Sequence, residues 1–366
     1  MKVAVIGAGL GGLCLAQGLR GAGVEVEVYE RDPDVSGRFQ GYRIGLGDLG
    51  CDAMLSCLPE RLRELFAATT GTLSGSRENY GPDLELRDSR PPMSATTVDR
   101  QVLRQLLLTG IDVRFGKRLS GYRVLGDGRV RAGFADGSVT EADLLVGADG
   151  INSAVRAQLD PDTEPEDTGV RCVIGRTPLT DRFAALVPGF GAGVSDGEVM
   201  LMIGLMRFRR APREAGAELG VPLPDVGDYV RWVLMPVPDH EDRPPRDTVL
   251  AAIDGWHPDL RALVEAADPR HTSRLAIRVV RPGARWPLGP VTLLGDAIHA
   301  TSPSGGNGAN TALYDARRLR DLLVEPRADL LGAVDAYETA MFDYGARAVE
   351  YSVAALDQFL PARPAA

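Results

Sequence analysis

Three glycines, Gly7, Gly9 and Gly12, stand in the stretch Gly7-Ala-Gly-Leu-Gly-Gly12, between Lys-Val-Ala-Val-Ile and a segment with Leu13, Ala16 and Leu19 at helical spacing. The short apolar run reads as a buried strand, and the spacing after it as one face of a helix. Each glycine of such a turn has its own purpose. The first lets the chain reverse, the second lets backbone approach a pyrophosphate, and the third lets helix and strand pack closely. The helix start adds unpaired N–H groups and the positive end of the peptide dipoles, which stabilise phosphate charge by about 0.3–2 kcal/mol. Val24–Glu30 alternates as a second strand and ends on Glu30, 18 residues past Gly12, where a carboxylate can accept from adenosine ribose hydroxyls. Strand, turn, helix, strand and acid together predict a dinucleotide site.

A second cluster runs from Gly295-Asp296 to Asn310. A strand, Val291–Leu294, ends at Gly295-Asp296. A loop with Pro303 and Gly306 follows, and a second helix starts near Gly308, Ala309 and Asn310. A protein that binds only a nicotinamide dinucleotide has no need of this second helix start. A flavin has, because its reduced ring is anionic and its ribityl chain offers hydroxyls to a carboxylate. A third stretch, Gly147-Ala-Asp-Gly-Ile-Asn-Ser-Ala-Val-Arg156, reads by itself as a strand end, a turn and a helix start, which is a structural role.

Carrying these three motifs in this order and at this separation, the sequence resembles the FAD-dependent aromatic hydroxylases of the para-hydroxybenzoate hydroxylase superfamily, the single-component flavoprotein monooxygenases. The resemblance covers almost the whole chain. It implies that Glu30 binds the FAD ribose and Asp296 the ribityl chain, with Pro303, Gly306 and the amides of Gly308, Ala309 and Asn310 on the pyrimidine side of the flavin. It places Arg31 and Arg100 at the adenine–phosphate part, and Asp149 where FAD and a transient NADPH or NADH meet. His299 braces the loop in that family. The implied fold class is α/β: a Rossmann-like FAD-binding domain (1–70, 97–165 and 281–325) interleaved with a mainly β substrate domain (71–96 and 166–280). A C-terminal helix and tail (326–366) follow, with no room for a further C-terminal domain. The implied reaction is hydroxylation of an aromatic substrate with NAD(P)H and dioxygen through a flavin hydroperoxide. Alternatives on the same scaffold are epoxidation, ketone oxygen insertion, reduction, or a non-catalytic flavoprotein that shields an intermediate. The sequence departs from the family at Ser302-Pro303, where two prolines are usual, at Ser304, often apolar or aromatic, and at Ile298, usually Ala. These changes fall on the wall facing the substrate.

Candidate substrate residues lie in Val199-Met-Leu-Met-Ile-Gly-Leu-Met-Arg-Phe208, where a period of two puts Met200, Met202, Met206 and Phe208 on one face. Flexible, polarizable Met suits a pocket for a flat ring. Trp232 is a second candidate wall, and Arg43, in the loop Gly41–Leu46, is a candidate for guiding the flavin or a substrate anion. No Arg–Tyr clamp is evident in these strands unless Arg171, Arg176 or Arg231 turns inward. The expectation is therefore a flat, mostly apolar, polycyclic secondary metabolite, since an unpaired buried carboxylate is costly.

The elements that must position these residues are bounded by composition. The chain has 366 residues, 44% hydrophobic and 25% charged, which excludes disordered and fibrous classes. No uninterrupted apolar run of about 18 residues exists to cross a membrane. The net charge of -9 argues against nucleic acid and anionic membranes as partners. Cys14, Cys51, Cys57 and Cys172 form no Cys-x-x-Cys pair, so no metal site is expected, and a reducing cytoplasm is the expected location. The glycines interrupt the apolar N-terminus, which reads as mature protein rather than a signal peptide. Helices are predicted over 49–66, 99–109, 247–266 and 331–359, with a meander of short strands over 113–146. Strands are predicted at 170–174, 199–206 and 229–235, a loop over 207–224 and a frayed tail over 361–366. His240, His257 and His271 read as solvated loop residues.

Overall fold

The computed structural model describes residues 1–35, 41–238, 242–326 and 329–358, so His240 and the tail 361–366 lie outside the described residues. Lys-Val-Ala-Val-Ile forms the strand Lys2–Ile6, buried over its last four residues. Side chains that are apolar on both faces suit the middle of a sheet covered on both sides. The strand is the third of five, in the order Val291–Leu293, Leu144–Gly147, Lys2–Ile6, Glu25–Tyr29 and Val113–Arg114, all parallel. The register aligns Ile6 with Gly147 and Gly147 with Leu293. The three motifs, far apart in sequence, therefore leave the sheet side by side at its carboxyl edge, where open parallel sheets bind ligands. Helices Leu10–Gly21 and Gly308–Val324 pack against each other beside that edge.

A second, mixed sheet has eight strands in the order Thr272–Val279, Glu166–Pro178, Tyr229–Met235, Met200–Met206, Gly191–Ser195, Gly71–Tyr80, Leu86–Asp99 and Arg43–Leu46. Its neighbours are antiparallel except Gly191–Ser195 beside Gly71–Tyr80. Leu119–Val124, Val130–Phe134 and Val139–Ala142 form a separate antiparallel meander. One large buried cluster surrounds the parallel sheet, and two smaller ones lie on the faces of the eight-stranded sheet. The long helix Leu330–Asp357 closes the chain over the third motif. Among the described residues no helix is long and apolar enough to cross a membrane.

Several boundaries differ from the sequence reading for local reasons. The helix over 49–66 is two, Asp48–Cys57 and Glu60–Thr69, because Pro59 lacks an N–H and caps the second. The helix over 247–266 likewise divides into Pro245–Ala252 and Pro258–Glu265. The loop over 207–224 contains a helix, Pro212–Glu218, opened by proline at its first position. In the loop Gly41–Leu46, Arg43–Leu46 is an edge strand paired with Thr96–Asp99.

Candidate active site

Gly7 has φ 110°, and a Cβ there would stand 2.3 Å from the Ala148 carbonyl oxygen of the middle motif. A Cβ on Gly12 would meet the Gly7 carbonyl oxygen, also at 2.3 Å. The protein's own packing demands both glycines. Gly9 is different: a Cβ there meets nothing nearer than 4.0 Å, and no side chain caps the helix that follows. Open space above an uncapped helix start is what a pyrophosphate requires, so the turn fits the ADP part of FAD. Glu30, buried at the end of Glu25–Tyr29, accepts from the Ala8 N–H at 2.8 Å and the Asp32 N–H at 3.0 Å. Arg31 beside it is half-buried, as is Arg100 at the start of Arg100–Leu108, the helix capped by Asp99.

Sequence reasoning missed Arg104, one turn beyond Arg100. Its Nε donates to the Ala8 carbonyl and its Nη1 to the Val35 carbonyl, both at 2.9 Å. Its Nη2 is buried without a hydrogen-bond partner among the described residues, 3.9 Å from the Glu30 carboxylate. The signal was present, since a lone Arg shares the buried face of that helix with Val102, Leu103, Leu106 and Leu107.

In the middle motif, the Asp149 carboxylate accepts from Ser153 Oγ at 2.5 Å and the Ala154 N–H at 2.7 Å. Burial pushes its pKa up, and these hydrogen bonds work the other way. Arg156 donates to the carbonyls of Ala297, Ile151 and Thr163 at 2.7, 2.8 and 3.0 Å, so it clamps the middle motif to the third.

The third motif turns at Gly295, with φ 62°, into the short helix Asp296–His299. Asp296 is exposed, and a Cβ on Gly308 would come within 3.9 Å of its Oδ1. The carboxylate and the uncapped start of Gly308–Val324 thus border one space, which fits a ribityl chain and the flavin's pyrimidine edge. Pro303 and Gly306, with φ 65°, shape the intervening loop, and Ala309 follows Gly308. The Asn310 side chain ties this helix to the edge strand, accepting from the Gly47 N–H and donating to the Gly45 carbonyl, both at 3.0 Å. Behind the turn, buried Asp315 accepts from the Gly295 N–H at 2.7 Å, from His299 Nε2 at 2.8 Å and from the Tyr344 hydroxyl. Burial pulls the His299 pKa down, but Asp315 outweighs it and the pKa is raised. His299 is therefore a brace inside the loop.

A cavity of about 190 Å³ lies between the eight-stranded sheet and this loop, with Met200, Met202, Val233 and Met235 on one side and Pro303 and Ser304 on the other. Met206 is buried against Tyr42 and Tyr229 instead, and Phe208 lies beyond the strand. Trp232 requires a correction. Strand alternation turns Arg231, Val233 and Met235 to the cavity and Trp232 to the opposite core, where its Nε1 donates to Thr177 Oγ1 at 3.1 Å. The expected absence of an inward cation is corrected too, because Arg231 and Arg43 both line the cavity. Arg171 instead pairs with Asp167 at 2.8 Å, and Arg176 lies over the Tyr42 and Tyr229 rings at 5.0 and 5.5 Å. The cavity is partly open, and its volume exceeds the roughly 150 Å³ that takes up one benzene. Among the described residues, no group of three potential ligands could hold a metal ion.

A dinucleotide turn, a second helix start facing an open carboxylate and a partly apolar cavity beyond them define a flavin-binding oxidoreductase fold. The comparisons with known proteins agree. The family model of the FAD binding domain matches residues 1–341, and the chain belongs to the FAD-dependent monooxygenase family. It is 32% identical to an FAD-dependent urate hydroxylase of Klebsiella oxytoca, over 94% of this chain and 86% of that one. It is 31% identical to a dual O-methyltransferase/FAD-dependent monooxygenase of Cercospora beticola, over 93% of this chain but only 44% of that protein, so it spans less than half that relative's length. The crystal structure of a Photorhabdus luminescens protein assigned as an FAD-containing monooxygenase superposes with a TM-score of 0.86 at 31% identity, covering 98% of both chains.

Proposed function

We propose that the chain holds one FAD without a covalent bond and uses it, with NADPH or NADH and dioxygen, to hydroxylate an aromatic small molecule. The observation that carries this reading is a shared wall: Pro303 and Ser304 belong to the third motif and also close the cavity. FAD, when bound, supplies the redox chemistry, accepting electrons from the nicotinamide and delivering them to dioxygen. The chain's own residues bind and enclose. The Gly7–Gly12 turn receives the pyrophosphate, with Glu30, Arg31 and Arg100 around the adenosine end. Asp296 receives the ribityl hydroxyls, and the backbone of Gly308, Ala309 and Asn310 receives the flavin ring. Met200 and Met202 offer the substrate ring a polarizable wall and keep water from the reacting edge. Nicotinamide is a transient partner in this reading, as the resemblance to the single-component flavoprotein monooxygenases implies.

The test begins with colour. The purified protein is expected to be yellow and to release about one FAD per chain on denaturation. An aromatic substrate should accelerate NAD(P)H consumption, and under ¹⁸O₂ its product should carry one labelled oxygen. A colourless protein, release of NAD or FMN alone, or a product without label would overturn the proposal.

A further inference from the structure

We infer that the substrate binds as an anion, its negative charge on Arg231 and Arg43, with one ring or a fused pair of rings against Met202 and Val233. The inference rests on the hydroxylase reading above and adds the charge and size of the molecule. Arg231 stands in the middle of Tyr229–Met235, and its guanidinium turns into the sheet's cavity side rather than to solvent. Among the described residues its Nε is buried with no hydrogen-bond partner, and so is that of Arg43, whose Nη1 donates to the Leu205 carbonyl at 3.2 Å. Among the described residues no carboxylate forms an ion pair with either guanidinium. Burial and the neighbouring Arg231 charge pull the Arg43 pKa down to about 9, so the free cavity holds these charges at a cost. Cys172 and Tyr229, the ionisable groups that interact with Arg231, are neutral near pH 7, and Arg77 adds a further guanidinium to the cavity lining. Burial pushes the Cys172 thiol up to about 11, and burial with the adjacent Asp99 pushes the Tyr229 phenol higher still.

Two half-buried guanidinium groups with buried Nε atoms, and no carboxylate partner among the described residues, are explained by a counter-charge that arrives with the ligand. Planar guanidinium groups match a carboxylate or a delocalised oxyanion better than an ammonium does. Their placement also orients the ligand. The Arg43 guanidinium lies where Gly204 lacks a side chain, since a Cβ there would be 2.2 Å from Nη1, and Gly204 pairs in register with Arg231. Four residues along, Met200 pairs with Met235, whose Sδ lies 3.9 Å from Ser304 Oγ of the cofactor loop. About 13 Å of strand separates the two pairs. The charged group thus points toward Gly204, and the opposite ring edge points toward the loop.

The experiment titrates the FAD-loaded protein by calorimetry with benzoate and salicylate and with their neutral amides, benzamide and salicylamide. At least one acid should bind ten times more tightly than its amide or better. Arg231→Met should weaken that acid at least tenfold, leave the amide within twofold and keep the FAD content of the wild type, and Arg231→Lys should recover part of the loss. Equal binding of acid and amide, no binding of either acid, or full affinity in Arg231→Met would overturn the inference. Should Arg231→Met fail to fold, Arg43→Met and the wild-type comparison of acid with amide still decide it. A wild-type chain that carries no FAD would instead defeat the hydroxylase reading, and the titration of that chain would still report on the cation pair.

Discussion

Gly7 and Gly9 stand two positions apart and answer to different constraints. At Gly7 the positive φ and the Ala148 carbonyl at 2.3 Å exclude a side chain whether or not a ligand is bound. Gly7→Val should therefore destabilise the chain itself by several kcal/mol, combining a strained backbone with a clash against backbone. Gly9 has extended backbone and open space, so Gly9→Val should leave the apoprotein's urea midpoint within experimental error. The same valine occupies the space assigned to the pyrophosphate, so retained FAD should fall to a few per cent of wild type. Urea melts of both apoproteins and flavin absorbance after gel filtration check the pair. A Gly9→Val protein that keeps its FAD would break the assignment of that space.

At the scale of elements, the helix Leu330–Asp357 holds the third motif from behind. Tyr337 donates its hydroxyl to the Leu293 carbonyl at 2.9 Å, Ser352 Oγ accepts from the Ser302 N–H at 3.0 Å, and Asn307 donates to the Ala348 carbonyl at 2.8 Å. Between these points Gly345 passes against the His299 ring, and a Cβ on it would lie 2.8 Å from Cδ2. Gly345→Ala should cost about 1–3 kcal/mol by overpacking and speed FAD loss, because His299 and Asp315 fix the Gly295-Asp296 turn. Unchanged melting and FAD dissociation would show the turn to be independent of this helix. The His299–Asp315 pair also predicts a pH dependence. With its folded pKa raised above the ordinary 6.5, His299 contributes stability fully below pH 6.5 and loses it as pH rises through the folded value. Asp315→Asn should remove that slope from a plot of melting temperature against pH.

The elements show how far the sequence was legible. Strands such as Tyr229–Met235 and the glycine turns are written in local pattern, and the described elements follow it closely. Which face of a strand meets the cavity is not local. Arg231 and Trp232 are neighbours on a strand buried on both sides, so alternation separates them without saying which one looks inward. An apolar ring is the natural choice for a pocket wall, and the choice fails here because the other core claims it. Arg104 and Asp315 escaped for a related reason, since each acts on a turn that only the folded sheet brings near.

At the scale of the molecule, the cofactor helix and the substrate cavity meet through one short strand. Arg43–Leu46 carries Arg43 into the cavity, and two residues from Arg43 the Gly45 carbonyl accepts from Asn310 Nδ2 at 3.0 Å. The Gly47 N–H donates to Asn310 Oδ1 at the same distance. A ligand that pulls on Arg43 therefore shifts a strand fastened to the first turn of Gly308–Val324, where the flavin ring is placed by the proposed function. Truncation by Asn310→Ala leaves the strand's N–H and carbonyl to water or unpaired, at about 1–3 kcal/mol, and removes the tie without touching the helix backbone. The expected outcome is a loss of coupling rather than of cofactor. FAD content should stay near that of wild type, while the acceleration of flavin reduction by a bound aromatic acid falls at least threefold in stopped-flow traces with NADH or NADPH. Reduction without the acid should change little, since nothing then loads the strand. An acceleration equal to that of wild type would mean that substrate and flavin communicate by another route, through the Pro303–Ser304 wall they share.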